Sequence, residues 1–218
     1  MTNLLKKIAA VVLVAFIAAS CQKENAVQPL NNSAAENIAL NKTGGVTLLQ
    51  NVVVGDVVQV RNLKSDSIIP PSTPAPFYYS LSTAATVGPN SSSRALLFDG
   101  YFNADLSGVN GFTIKYIDST TLGYSSITAA NAVSSSTAAV NNKVGYNSTN
   151  PGWYNYFFND NHKVLPVVGR TIIAYKTVGT TVTEIYKIKM LSIYKDMPAN
   201  PTGTEPIPYL SFDYKRLQ

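Results

Sequence analysis

The chain has one cysteine, one histidine and one tryptophan in 218 residues, and only 13% of its residues are charged. Each scarcity removes a class of chemistry. A lone thiol forms no disulfide within the chain and builds no multi-thiolate metal site. A lone imidazole, His162, excludes a multi-histidine zinc site and argues against a serine or cysteine triad. Basic residues number 17 against 12 acidic ones, for a net charge of +5. They are scattered, with no run that would track phosphates, so nucleic acid is not an expected partner. Glycines occur singly or as Gly44-Gly45, without a phosphate-cradling loop. Carboxylates are dispersed, and no glycosidase-type pair is legible. No constellation supports catalysis, so the chain is read as a binding protein. Ser, Thr, Asn and Tyr are plentiful instead, which is the surface chemistry of an extracellular β protein.

The one cysteine has a telling position. Residues 1–21 read MTNLLKKIAAVVLVAFIAASC: Lys6 and Lys7 give a basic start, Ile8 to Ala19 are almost wholly apolar, and Ala18-Ala19-Ser20 are small. This predicts a secretory signal over 1–20, too short an apolar run to be read first as a spanning helix. Ala18 to Ser20 resemble a lipobox, with Ala18 where Leu is commonest, and Cys21 is then the lipidated residue. The alternative is a plain signal peptide with an incidental cysteine. Acylation of Cys21 leaves no free thiol and tethers the protein to a membrane, with the outer membrane and cell surface as the expected location. Gln22-Lys23-Glu24 resembles the short Lys-plus-acid signals that send Bacteroidetes lipoproteins to the surface; a solvated tether start explains it equally. Residues 21–45 are polar and without sustained periodicity, and are read as a flexible tether.

From Val46 the chain changes character, and 46–218 is expected to form a single β domain. Val46 to Leu49, Val52 to Val54 and Val57 to Val60 are β-branched runs around Gly55-Asp56. Pro70-Pro71, Pro74 and Pro76 mark a loop. Phe77 to Ser82 alternates as a strand, Ala95 to Phe98 and Tyr101 to Leu106 suggest a pair around Asp99-Gly100, and Phe112 to Ile117 alternates cleanly. Ser125 to Val140 permits a short helix by its alanines, while its Ser and Asn content favours turns. Arg170 to Thr177 and Val182 to Tyr194 flank Val178 to Thr181 as a β-hairpin. Tyr209 to Lys215 sets Leu210, Phe212 and Tyr214 against Ser211, Asp213 and Lys215 as a further strand. The expected fold class is all-β, mostly antiparallel.

Three stretches together resemble the HmuY family of Bacteroidetes haem-binding surface lipoproteins. Phe77 to Thr83 (FYYSLST) is similar to an early aromatic "YFSFSTG" strand. Gly152-Trp153-Tyr154-Asn155-Tyr156 followed by His162-Lys163-Val164-Leu165-Pro166 is similar to a "GWYNY … H-x-I-x-P" segment. Arg170 to Tyr194 followed by Tyr209 to Tyr214 matches the family's hairpin, "YxKxQxLSYY" strand and closing "Y-x-F-x-Y" strand in order and spacing. The resemblance implies an all-β, hand-like fold and, in some members, capture of haem for a TonB-dependent receptor. There are departures. Ser93-Arg94 stands where many relatives carry Trp-Asp. The histidine pair that holds haem iron in the best-known member does not carry over: one position is Phe157, and the Ser/Ala- and Asn-rich middle contains no histidine for the other.

Candidate ligand-binding residues are therefore Trp153, Tyr154, Tyr156 and His162. Haem iron accepts His, Met or Tyr, so His162 is a candidate iron ligand, with Met197 or Met190 as the second; an exposed loop histidine with no ligand is the competing reading. Met190 shares a strand face with Tyr186 and Ile188 and reads as core. Alternation sets Trp153, Asn155 and Phe157 on one face and Tyr154, Tyr156 and Phe158 on the other, one packing inward and the other forming a surface patch. Aromatic faces stack on porphyrins and on sugar rings alike. The expected function is haem capture, and the alternative is a glycan- or protein-binding adhesion module. Asp66-Ser67-Ile68 and Asp118-Ser119-Thr120 resemble Bacteroidetes O-glycosylation sites, and turn formation explains them equally.

Overall fold

The computed structural model describes residues 52–54, 56–65 and 74–218, all within one compact unit that runs Asn41–Gln218. The expected signal (1–20), Cys21, the tether (21–45), the run at 46–49, Asp66-Ser67-Ile68 and Pro70-Pro71 lie outside the described residues. The strands are β1 (Val52–Val54), β2 (Val57–Lys64), β3 (Phe77–Ser80), β4 (Ala85–Val87), β5 (Leu96–Asp99), β6 (Asp105–Gly108), β7 (Phe112–Asp118), β8 (Thr137–Ala138), β9 (Lys143–Val144), β10 (Tyr154–Phe157), β11 (Lys163–Pro166), β12 (Arg170–Val178), β13 (Thr181–Ser192) and β14 (Tyr209–Arg216), with one short helix, α1 (Ala129–Ala132). Every pairing between these strands is antiparallel. The all-β, mostly antiparallel fold expected from the alternation is what the chain adopts.

A seven-stranded sheet runs β1-β2-β14-β13-β12-β7-β8, a five-stranded sheet runs β4-β3-β5-β6-β9, and β10-β11 form a separate pair. The hairpin β12–β13 shows why these residues make strands. Alternating β-branched and aromatic side chains build both arms, and Gly179 at φ +60 lets a two-residue turn join Val178 to Thr181. Val60, Phe212, Tyr214, Tyr186, Ile188, Ile172 and Ile114 of the large sheet join Tyr79, Leu96, Phe98 and Leu106 of the smaller one in the main core. The two sheets meet ring on ring, with Tyr79 and Phe98 lying 5.4 and 5.8 Å from Phe212. The Tyr214 hydroxyl donates to the Leu81 carbonyl at 3.0 Å.

The other face of the large sheet carries a second, smaller core of Ile117, Ile173 and Ile185 against Ile127 and Ala132. Phe112 and Ile114 thus face the main core while Ile117, on the other side of the same strand, enters the second. Lys187 fastens this cover. Its amine donates to the Tyr124 and Ile127 carbonyls at 2.8 and 3.1 Å and sits 4.4 Å from the Tyr124 ring centre. Burial first, and Lys215 second, pull the Lys187 amine below its usual value; burial pushes the Tyr124 phenol up to about 12. Ser125 to Val140 shares both sequence readings: it holds α1 and β8 amid turns.

One expected strand boundary shifts. Tyr101 to Leu106 was to pair with Ala95 to Phe98, but β5 pairs with Asp105 to Gly108 instead. Gly100 (φ +83) and Asn103 (φ +47) take left-handed conformations that a strand does not allow. The buried Asn103 amide donates to the Ala75 carbonyl at 2.8 Å, fixing the turn. Tyr101 and Phe102 are thereby released from the ladder.

Candidate functional site: an open aromatic groove

The site begins with an anchor. Trp153 is 2% exposed, and its indole N–H donates to the Ala104 carbonyl at 2.5 Å, tying the start of β10 to the β5–β6 turn. Arg170 then clamps the approach to β10. Its guanidinium makes a two-pronged pair with Asp118 at 2.7 and 2.9 Å and donates to Asn147 Oδ1 at 3.1 Å and the Gly152 carbonyl at 2.6 Å. It also lies 4.7 Å from the Tyr116 ring centre. Gly152 has to be glycine, because a Cβ there would run into the Gly145 carbonyl oxygen. With this segment held, β10 and β11 pair from Tyr154↔Pro166 to Phe157↔Lys163.

Tyr154, Tyr156 and Phe158 point to one side, as the alternation predicts. Tyr101, Phe102 and Tyr146 meet them around a groove of about 360 Å³. The rings brace one another. Tyr156 lies 6.2 Å from Phe102, nearly parallel, and 4.6 Å from Phe158, edge to face; Tyr146 lies 6.1 Å from Tyr154. Tyr101 is 61% exposed and Phe158 62%, so the groove is open to solvent. On the opposite side Trp153 enters the core, whereas Phe157 is exposed beneath the Lys163 amine at 5.8 Å.

A second, polar pocket of about 210 Å³ adjoins the groove and shares Tyr146 with it; Asp105, Asn141, Lys143 and Asn150 are among its walls. Lys143 pairs with Asp99 at 2.8 Å and stands 3.9 Å from Asp105. Desolvation raises the Asp105 carboxyl above the usual range and outweighs the pull of Lys143; Asp99 raises it further, and the hydrogen bond from Tyr154 lowers it. The Tyr154 hydroxyl, 3.3 Å from Asp105 Oδ1, is in turn driven well above the usual phenol value by burial and then by that carboxylate. With one carboxylate, one amine and two amides among its walls, this pocket offers hydrogen-bond partners suited to hydroxyl groups.

His162 is exposed in the β10–β11 turn, where Asn161 and His162 both take left-handed φ values of +49 and +57. Its Nδ1 lies 3.0 Å from the Tyr156 hydroxyl oxygen, so it borders the groove through Tyr156 without lining it. Met197 follows β13 in a turn tied to β2 by reciprocal bonds between Asn62 and Asp196 at 2.8 and 2.7 Å, and it does not line the groove. Met190 is 5% exposed and belongs to the core. Among the described residues no three His, Cys, Asp or Glu side chains cluster as a metal site, and no helix is long and apolar enough to cross a membrane. The residues do fit a haem in kind: flat apolar walls for a porphyrin, with a phenol and an imidazole at the rim as iron donors. Sequence reasoning missed Tyr101, Phe102 and Tyr146. Their signal is faint: Tyr101 and Phe102 follow the left-handed Gly100, and Tyr146 follows Gly145 just past β9.

No family model, curated protein or solved structure matches the chain.

Proposed function

We propose that this is a non-enzymatic, lipid-anchored surface protein that captures a flat ring ligand, haem first, and passes it to a TonB-dependent outer-membrane receptor. The observation that carries the reading is the convergence of six aromatic side chains on one open groove. The volume sits at the low end of small-ligand clefts, about 300–1,000 Å³, so the groove holds part of a porphyrin and leaves part in solvent. Each stacked ring pair contributes about 0.5–1.5 kcal/mol beyond area burial, and partial enclosure suits a ligand that must be handed on. The haem-family resemblance and the Cys21 signal supply the cargo and the anchor. The test is titration of ferric haem into the full-length protein in detergent. A saturable Soret shift, weakened in Tyr101→Ala and Phe158→Ala, supports the reading; no shift ends it.

The glycan reading has its own observation, the polar pocket sharing Tyr146 with the groove. A sugar would stack its apolar face on Tyr146 and offer hydroxyls to Asp105 and Asn141. Glycan-array binding lost in Tyr146→Ala and Asp105→Asn, and indifferent to His162→Ala, would favour it over haem.

A further inference from the structure

We propose that Tyr156, rather than His162, is the axial ligand to ferric haem iron at this groove, and that His162 serves as its base and orienting partner. This rests on the haem reading above and specifies its chemistry. Tyr156 lines the groove and His162 does not. The Tyr156 hydroxyl oxygen and His162 Nδ1 lie 3.0 Å apart. With its own proton on Nε2, the imidazole accepts the phenol's hydrogen bond at Nδ1. The imidazole beside the hydroxyl gives the phenol's proton a place to go when the oxygen serves as a ligand. His162 is held in place for that role. It sits in a tight turn of two left-handed residues, closed by the ion pair between Asp160 and Lys163.

The other phenols of the groove lack this arrangement. The Tyr154 hydroxyl is bonded to Asp105, and a carboxylate beside it opposes phenolate formation. No hydrogen bond among the described residues gives Tyr101 or Tyr146 an acceptor for its proton. Tyr156 alone, among the described groove phenols, has an imidazole nitrogen within hydrogen-bond distance of its hydroxyl.

The step balances without an outside oxidant or reductant. The Tyr156 O–H bond breaks, its proton passes to His162 Nδ1, and the freed oxygen lone pair forms the bond to iron. A water on the metal is displaced, and the iron stays ferric. The resulting imidazolium lies against the phenolate and neutralises it.

Ferric haem titrated into the full-length protein in detergent, read by visible absorption and resonance Raman, separates the possibilities. A phenolate-to-iron charge-transfer band with Fe–O(phenolate) vibrations is expected, and Tyr156→Phe should abolish both. His162→Ala should keep the band while weakening haem affinity about 10- to 100-fold, as loss of a ligand's hydrogen-bonding partner typically does. His162→Gln, which can still accept the bond, should recover part of that loss. Near-UV circular dichroism of Tyr156→Phe checks that the fold is intact. A spectrum unchanged in Tyr156→Phe, or a histidine-ligated spectrum lost in His162→Ala, overturns the assignment while leaving haem capture standing. Absence of any Soret shift removes both.

Discussion

Two aromatic assemblies in this molecule use the same rings at the same spacings and end in opposite states. In the main core Tyr79, Tyr186, Phe98, Phe212 and Tyr214 are 0–1% exposed, with Tyr79–Phe212 at 5.4 Å and Tyr186–Tyr214 at 6.3 Å. In the groove Tyr146, Tyr156 and Phe158 are spaced 4.6–6.3 Å apart, yet Tyr146 is 39% exposed and Phe158 62%. Ring geometry therefore does not separate a core from a site. Cover does. The first set lies between two sheets, so each ring has a facing layer. The second stands on turns and a two-stranded pair, where its members brace only one another. Apolar surface left this way is available to a ligand.

Substitutions can break or sharpen that contrast. The largest effect is expected from Phe212→Ala, which empties the contact between the two sheets and should cost about 3–5 kcal/mol in chemical denaturation. Trp153→Ala should approach it, since the indole also carries a buried hydrogen bond to Ala104. Arg170→Ala should come next, at about 1.5–3 kcal/mol, the typical worth of hydrogen bonds to a charged group. It should also loosen the groove, seen as faster hydrogen exchange at 152–157. Tyr154→Phe removes one hydroxyl and should cost about 1 kcal/mol.

Phe158→Ala and Tyr101→Ala should sharpen the contrast most: stability within about 0.5 kcal/mol of the parent, with ligand affinity clearly reduced. Were either to unfold the protein, the groove would be core in disguise. The smallest effect is a pH dependence at Asp105. Its carboxyl is raised in the folded state, so folding is favoured while it is protonated, and that advantage is lost as pH rises through the raised value. Asp105→Asn should therefore gain slightly over the parent in thermal denaturation at neutral pH and show no gain below the ordinary carboxylate range.

Strands were legible where alternation was long. β12, β13 and β14 fall within a residue or two of their expected limits, because each is a long run rich in β-branched and aromatic residues bounded by turn signals. The β5–β6 turn was not, because its cause lies in a tertiary bond from Asn103 to Ala75 and in left-handed backbone, neither of which has a periodic signature. The groove was half legible. Tyr154, Tyr156 and Phe158 follow from period two within one segment. Tyr101 and Phe102 arrive from a turn far away in sequence and Tyr146 from a bridge to Tyr154, held through the bonds of Trp153 to Ala104 and Arg170 to Asn147, and local pattern carries no record of such tertiary bonds. The histidine was found, but its bond to Tyr156 depends on the left-handed pair at 161–162.

The sheet order has a consequence for how the domain is made. β14 lies between β2 and β13 and is hydrogen-bonded to both. Among the described strands β1 and β2 leave the ribosome first and β14 last, so the β1–β2 hairpin has no seat in the large sheet until every other strand has emerged. Closing that long a loop is slow. Until it closes, Phe212 is missing from the junction of the two sheets, and their rings have no facing partner.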